Sequence, residues 1–169
     1  MESIINSEMF WEFSKGKTTL KSNNGVIVEL KDEKTYKASF ELGGESYVIR
    51  NNGFWKPKTI IECGDKVILS LSSSFLGSKG TIEFANGAKY QCKVHNSPLV
   101  KLSFYTTEGH EIVSYRLDTS LKPQTVMEIL PHTVTDNDLL MLIILGCFAF
   151  KGITIENTEA DFITLVAGA

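Results

Sequence analysis

The chain has 169 residues, of which 43% are hydrophobic and 22% charged, an ordinary composition for one folded globular domain and not for a disordered chain. Its net charge of −3 and sequence pI near 5.6 leave no basic footprint, which argues against sequence-independent nucleic-acid binding. Cys63, Cys92 and Cys147 lie at long spacings without a Cys-x-x-Cys pair and read as reduced thiols of a cytoplasmic protein; the N-terminus lacks the basic and apolar regions of a secretory signal.

In chain order, Met9 to Phe13 opens the ordered region, and Gly16-Lys17 and Asn23-Asn24-Gly25 bracket a short Lys-rich segment that reads as a solvated loop carrying Lys15, Lys17 and Lys21. Gly25 to Leu30 reads as a strand, and Tyr36 to Leu42 and Ser46 to Arg50 form a hairpin about Gly43-Gly44, where a tight turn needs positive φ. Thr59 to Cys63 and Lys66 to Ser72 flank Gly64-Asp65. Gly80 to Phe84 pairs with Ala88 to Val94 across Asn86-Gly87, the strongest hairpin signal in the chain. Leu99 to Thr106, Glu111 to Leu117 and Thr125 to Leu130 complete about eleven short strands before any helical periodicity, the rhythm of an all-β barrel or sandwich.

Leu139 to Phe150 then reads Leu-Leu-Met-Leu-Ile-Ile-Leu-Gly-Cys-Phe-Ala-Phe, apolar on every side. Thr135 is its expected N-cap with Asp136 and Asp138 in the first turn, and Lys151 followed by Gly152 is its expected C-terminus. The spacing predicts a helix over about 136–151, roughly 18 Å long in its apolar part, with a short strand at Ile153 to Ile155 and a tail after it. A run of about 12 apolar residues is short for a membrane span and marks a core helix; a membrane anchor and a helix shared with a partner chain are the alternatives. Wrapping it takes a barrel wider than about eight strands, and Gly146 would let a strand approach it closely. The expected domain is therefore single, 1–169, with barrel strands over about 9–130.

Few residues offer chemistry. Arg50-Asn51-Asn52-Gly53-Phe54-Trp55-Lys56-Pro57-Lys58 sets two aromatics among three cations, so Arg50, Phe54, Trp55, Lys56 and Lys58 are the candidate contacts to an anionic surface; the alternative makes the aromatics packing residues and the lysines solubilising charge. Cys92 and His95 are three apart on a strand and should face opposite ways, which disfavours a Cys–His pair. His110 and His132 have no companions for a zinc site, and no Walker-type loop occurs, so no metal, cofactor or enzymatic constellation is expected.

The hairpin series Phe40-Glu41-Leu42-Gly43-Gly44-Glu45-Ser46-Tyr47-Val48-Ile49, the strand Gly80-Thr81-Ile82-Glu83-Phe84 and the apolar run Asp138 to Phe150 together resemble the superfamily of the tubby C-terminal domain, the plant LURP-one-related proteins and the phospholipid scramblases. The resemblance covers roughly Met9 to Ile155 and implies a closed antiparallel barrel of about twelve strands around a central hydrophobic helix. It also implies, for tubby-type members, phosphoinositide binding through clustered Lys and Arg, yet no such cluster aligns residue by residue. The Cys-rich segment and the acidic Ca2+ loop of scramblase-type members are absent too. The expectation is a non-enzymatic barrel that binds or tethers at an anionic membrane surface, lipid head groups included, or at a protein partner, in the cytoplasm or peripheral to a membrane. A carrier of a small apolar ligand is the alternative.

Overall fold

The computed structural model describes residues 8–34, 36–52, 58–73, 78–95, 99–118 and 124–167. The segments with turn residues at their ends form twelve strands: β1 (Met9–Ser14), β2 (Lys17–Ser22), β3 (Gly25–Lys34), β4 (Lys37–Leu42), β5 (Glu45–Asn52), β6 (Lys58–Cys63), β7 (Lys66–Ser73), β8 (Lys79–Phe84), β9 (Lys89–His95), β10 (Lys101–Thr106), β11 (Glu111–Asp118) and β12 (Gln124–Ile129). Each pairs antiparallel with the next, so the sheet is one meander in chain order. It curls until β1 and β12 touch, and no hydrogen-bonded register joins them among the described residues; the barrel is nearly closed.

Turn chemistry sets the registers. Gly43 and Gly44 take φ of 60° and 82° between β4 and β5, and the hairpin they close stacks Phe40 on its cross-strand partner Tyr47 at 4.9 Å between ring centroids. Between β8 and β9 the Asn86 carboxamide accepts from Ala88 N–H while Gly87, at φ 91°, donates to the Phe84 carbonyl. The extra strand relative to the sequence reading is β2. Its Lys17 and Lys21 are not loop residues: they pair with Glu29 of β3 and Glu12 of β1, and Thr18, Thr19 and Leu20 between them are buried. The threonines suit a pleated surface but add no hydrophobic signal, which is why the segment reads as a loop.

Alternate strand residues point inward, among them Leu20, Ile49, Ile61, Leu69 and Ile82, each 0% exposed, and they close on one helix. This is α1 (Asp136–Ala167), whose Leu139 to Leu145 are all buried. It begins as its signals require: Thr135 Oγ1 accepts from Asp138 N–H at 3.3 Å and the Thr135 carbonyl from Leu139 N–H at 2.9 Å. Its end differs from expectation. The helix neither stops near residue 151 nor gives way to a strand at Ile153 to Ile155; it runs on to Ala167. Gly152 stays out of the left-handed region, so it makes no C-cap, and a helical glycine costs only about 1 kcal/mol relative to alanine. Lys151, instead of serving the last carbonyls, reaches across to β3.

Gly146 has the role its position suggests. A Cβ there would lie 2.4 Å from Tyr115 Cε2 and 2.7 Å from Phe104 Cε2, so only a bare backbone lets the helix lie against β10 and β11.

Candidate functional site

The bore of the barrel holds no chemistry to spare. Tyr115, fully buried on β11, donates to the Ile143 carbonyl of α1 at 2.6 Å and accepts from Trp11 Nε1 of β1 at 3.1 Å, which ties wall, helix and seam at one oxygen. Near the start of the helix Tyr90 of β9 donates to the Asp138 carboxylate at 2.9 Å; midway along it, past the buried run, Lys151 Nζ meets Asp32 Oδ2 of β3 at 2.5 Å and Thr18 Oγ1 at 3.2 Å. Burial pushes the Tyr115 hydroxyl well above its ordinary range, and burial with the hydrogen bond to Asp138 pushes Tyr90 up to about 12. Both remain neutral hydrogen-bonding groups.

The buried thiols Cys92 and Cys147 are equally inert. Burial raises Cys92 to about 11 and Cys147 further still, the reverse of what a nucleophile needs. Cys92 is buried and His95 exposed, so the strand does part them. His132 Nδ1 accepts from Val134 N–H at 3.1 Å, a turn contact, and His110 is exposed. Among the described residues no group of three or more His, Cys, Asp or Glu could hold a metal ion.

Among the described residues, the polar groups left open to a ligand lie on the outer surface. Of the basic and aromatic segment expected to meet an anionic surface, Phe54, Trp55 and Lys56 lie outside the described residues. Arg50 and Lys58 are on adjacent strands and share the outer face, since Arg50 pairs with Ile60 and Lys58 lies two residues before it. Arg50 is already committed: its Nη2 is 2.6 Å from Glu62 Oε1. Lys58 is exposed, in register with Asn52 on one side and Ser72 on the other.

From Lys58 the outer row continues through Ser72 of β7, Thr81 of β8 and Gln91 of β9 to Tyr105 of β10, each directly opposite the next. Here the wall carries a concavity of about 510 Å³, lined by Ser72, Ser73, Lys79, Gly80, Thr81, Gln91, Cys92 and Lys93. Two of these are cations in direct register, Lys79 against Lys93, and no acid is among them. Lys93 Nζ sits 4.9 Å from the centroid of the Tyr105 ring. Sequence reasoning passes over both lysines because each is an isolated charge on a strand. The findable signal is their alternation with Thr81 and Gln91 about a hairpin, which puts all four on one face.

No family model, no curated protein and no solved structure matches this chain.

Proposed function

We propose that this protein is a non-enzymatic binding barrel that engages an anionic membrane surface through the outer face of β5 to β9. The observation that carries the reading is the filled bore. With Leu139 to Leu145 occupying it, what the molecule offers a ligand is its exterior, and there Lys58, Lys79 and Lys93 stand along a stretch of hydroxyl and amide side chains. Each base near an anionic bilayer is worth about 1 kcal/mol, so three contribute on the order of 3 kcal/mol before any aromatic insertion. The proposal also takes up the resemblance to the tubby-like superfamily, whose barrel about an apolar helix is the architecture seen here; shared architecture does not by itself carry function.

A carrier of a small apolar ligand is disfavoured, because the bore has side chains where a ligand would sit and the concavity in the wall is polar. A membrane-spanning α1 is disfavoured in the same way. Asp136–Thr154 is long and apolar enough to cross a bilayer by length and composition alone, but its apolar residues are spent inside the barrel.

Co-sedimentation with vesicles of phosphatidylcholine alone or with phosphatidylserine, at low and high salt, tests the proposal. Binding that requires the anionic lipid, falls with salt and weakens in Lys58→Glu is expected. Binding that survives salt and alkaline extraction would mean insertion of α1 and would end the reading. Absence of binding would move the case to an acidic protein partner.

A further inference from the structure

Resting on the outer-face reading above, we infer that the concavity over β7 to β9 is a binding site for a phosphoryl group, held between Lys79 and Lys93 with the Ser72 and Thr81 hydroxyls and the Gln91 amide as further donors. Like charges directly opposite on neighbouring strands repel, and a wall built only for stability would set an acid against one of them. Elsewhere on this barrel that is what happens: Lys17, Lys37 and Lys101 meet Glu29, Glu33 and Glu111 at 3.2, 3.0 and 3.1 Å. Between Lys79 and Lys93 there is none. The nearest acid of β8 on this face, Glu83, lies two rows away, beyond Thr81 and Gln91, in register with Lys89 and Ser70 and does not line the concavity.

The donors suit a dianion. A phosphoryl group carries about −1.5 to −2 charge at neutral pH and three acceptor oxygens, which matches two ammonium groups and a set of hydroxyl and amide donors better than the single charge of a carboxylate does. Lys93 is held over the Tyr105 ring, so part of the entropic cost of fixing it is met before a ligand arrives. Cys92, pushed up to about 11 by burial, stays a neutral thiol and adds no competing negative charge at the floor. Behind the site the wall is closed, because Gly80 turns its bare face to the interior. A Cβ there would sit 2.8 Å from Cys92 Sγ and 2.9 Å from Leu71 Cδ1, so the position opposite Cys92 accepts no side chain. At about 510 Å³ the concavity exceeds a bare phosphate and leaves room for the body that carries it.

A lipid phosphomonoester and a free phosphorylated small molecule share this chemistry, and the test separates them. The full chain, labelled with 15N, is titrated with inorganic phosphate at constant ionic strength against chloride. Saturable amide shifts at Ser72, Thr81, Gln91 and Lys93 are expected, with affinity at least about tenfold lower in Lys79→Gln/Lys93→Gln. An undisturbed remainder of the spectrum shows that this variant is folded. Shifts that fail to saturate, equal those in chloride, or persist in the double variant would overturn the site.

In parallel, vesicles of phosphatidylcholine with phosphatidic acid, which bears a phosphomonoester, are compared with phosphatidylserine vesicles of equal charge. A preference for phosphatidic acid that the double variant abolishes assigns a lipid source, whereas phosphate binding without vesicle binding assigns a free phosphorylated ligand and removes the membrane reading alone. Vesicle binding that is lost in Lys58→Glu but intact in Lys79→Gln/Lys93→Gln, without saturable phosphate binding, would overturn the phosphoryl site and leave the anionic-surface reading standing.

Discussion

Inside the barrel the hydroxyl of Tyr115 has Trp11 on one side and the Ile143 carbonyl on the other; on the outside of the same wall Lys79 faces Lys93 with no acid beside the pair. The contrast follows from what water does in each place. A buried polar group without a partner costs about 1–3 kcal/mol, so Tyr90 with Asp138 and Tyr115 with Trp11 were matched as the fold was assembled. Lys79 is exposed and Lys93 half-buried, so both ammonium groups keep contact with water, and leaving them opposed costs only tenths of a kcal/mol. Strong matching therefore marks structure, and tolerated mismatch marks the face left for a partner.

If this division is right, the largest losses should come from the contact between helix and wall. Gly146→Ala pits helix propensity, which favours alanine by about 1 kcal/mol, against a Cβ placed 2.4 Å from the Tyr115 ring and 2.7 Å from the Phe104 ring. Both rings are fully buried, so the clash should win, with a net loss of about 2–3 kcal/mol in urea unfolding. A variant as stable as the parent would mean that α1 does not lie against β10 and β11 as described.

Next in size is Tyr115→Phe, which keeps the ring but leaves Trp11 Nε1 and the Ile143 carbonyl without their shared partner. A loss of about 1–2 kcal/mol is expected. A neutral outcome would detach the seam from the helix.

Alkali should act on the same interior. In the folded chain Tyr90 is raised from 10.0 to about 12 and Cys92 from 9.0 to about 11, with Tyr115 and Cys147 also raised. The folded state therefore holds protons that the unfolded state releases first. Stability is whole below about pH 9 and falls as pH rises through about 12, at up to 1.36 kcal/mol per pH unit for each group in its window. Tyr90→Phe, less stable throughout, should show a shallower decline. Identical slopes would remove Tyr90 from the account.

Smaller still is the tie past the bore. Lys151 and Asp32 are about a third exposed, with side chains 29% and 35% accessible, so a double-mutant cycle with alanine should return about 0.5–1 kcal/mol and shrink in high salt. A salt-independent value above about 2 kcal/mol would make the pair a buried one. Smallest is Lys79→Gln on the outer face, expected within about 0.5 kcal/mol and on the stabilising side, because it relieves Lys93. A clear loss of stability there would contradict the division between the two faces.

What the linear chain determined was set by local chemistry. Alternation placed the strands, Gly43-Gly44 and Asn86-Gly87 placed two hairpins, Thr135 with its following acids started the helix, and an apolar run without a polar face required a bore to bury it. Where local signals were weak, tertiary structure decided. β2 is held as a strand by Glu12 and Glu29 on its neighbours, and Lys151 and Gly152 lie mid-helix because Asp32 and Thr18 of the wall, not the helix end, take the ammonium group.

The candidate site was the least legible part. It depends on the register of β8 against β9, which the turn at Gly87 sets by pairing Phe84 with Ala88. A turn shorter by one residue would shift that register, and a slip of one residue along a strand exchanges its two faces. Lysines at 79 and 93 are two unrelated charges in the sequence; only the paired strands β8 and β9 make them neighbours over one concavity.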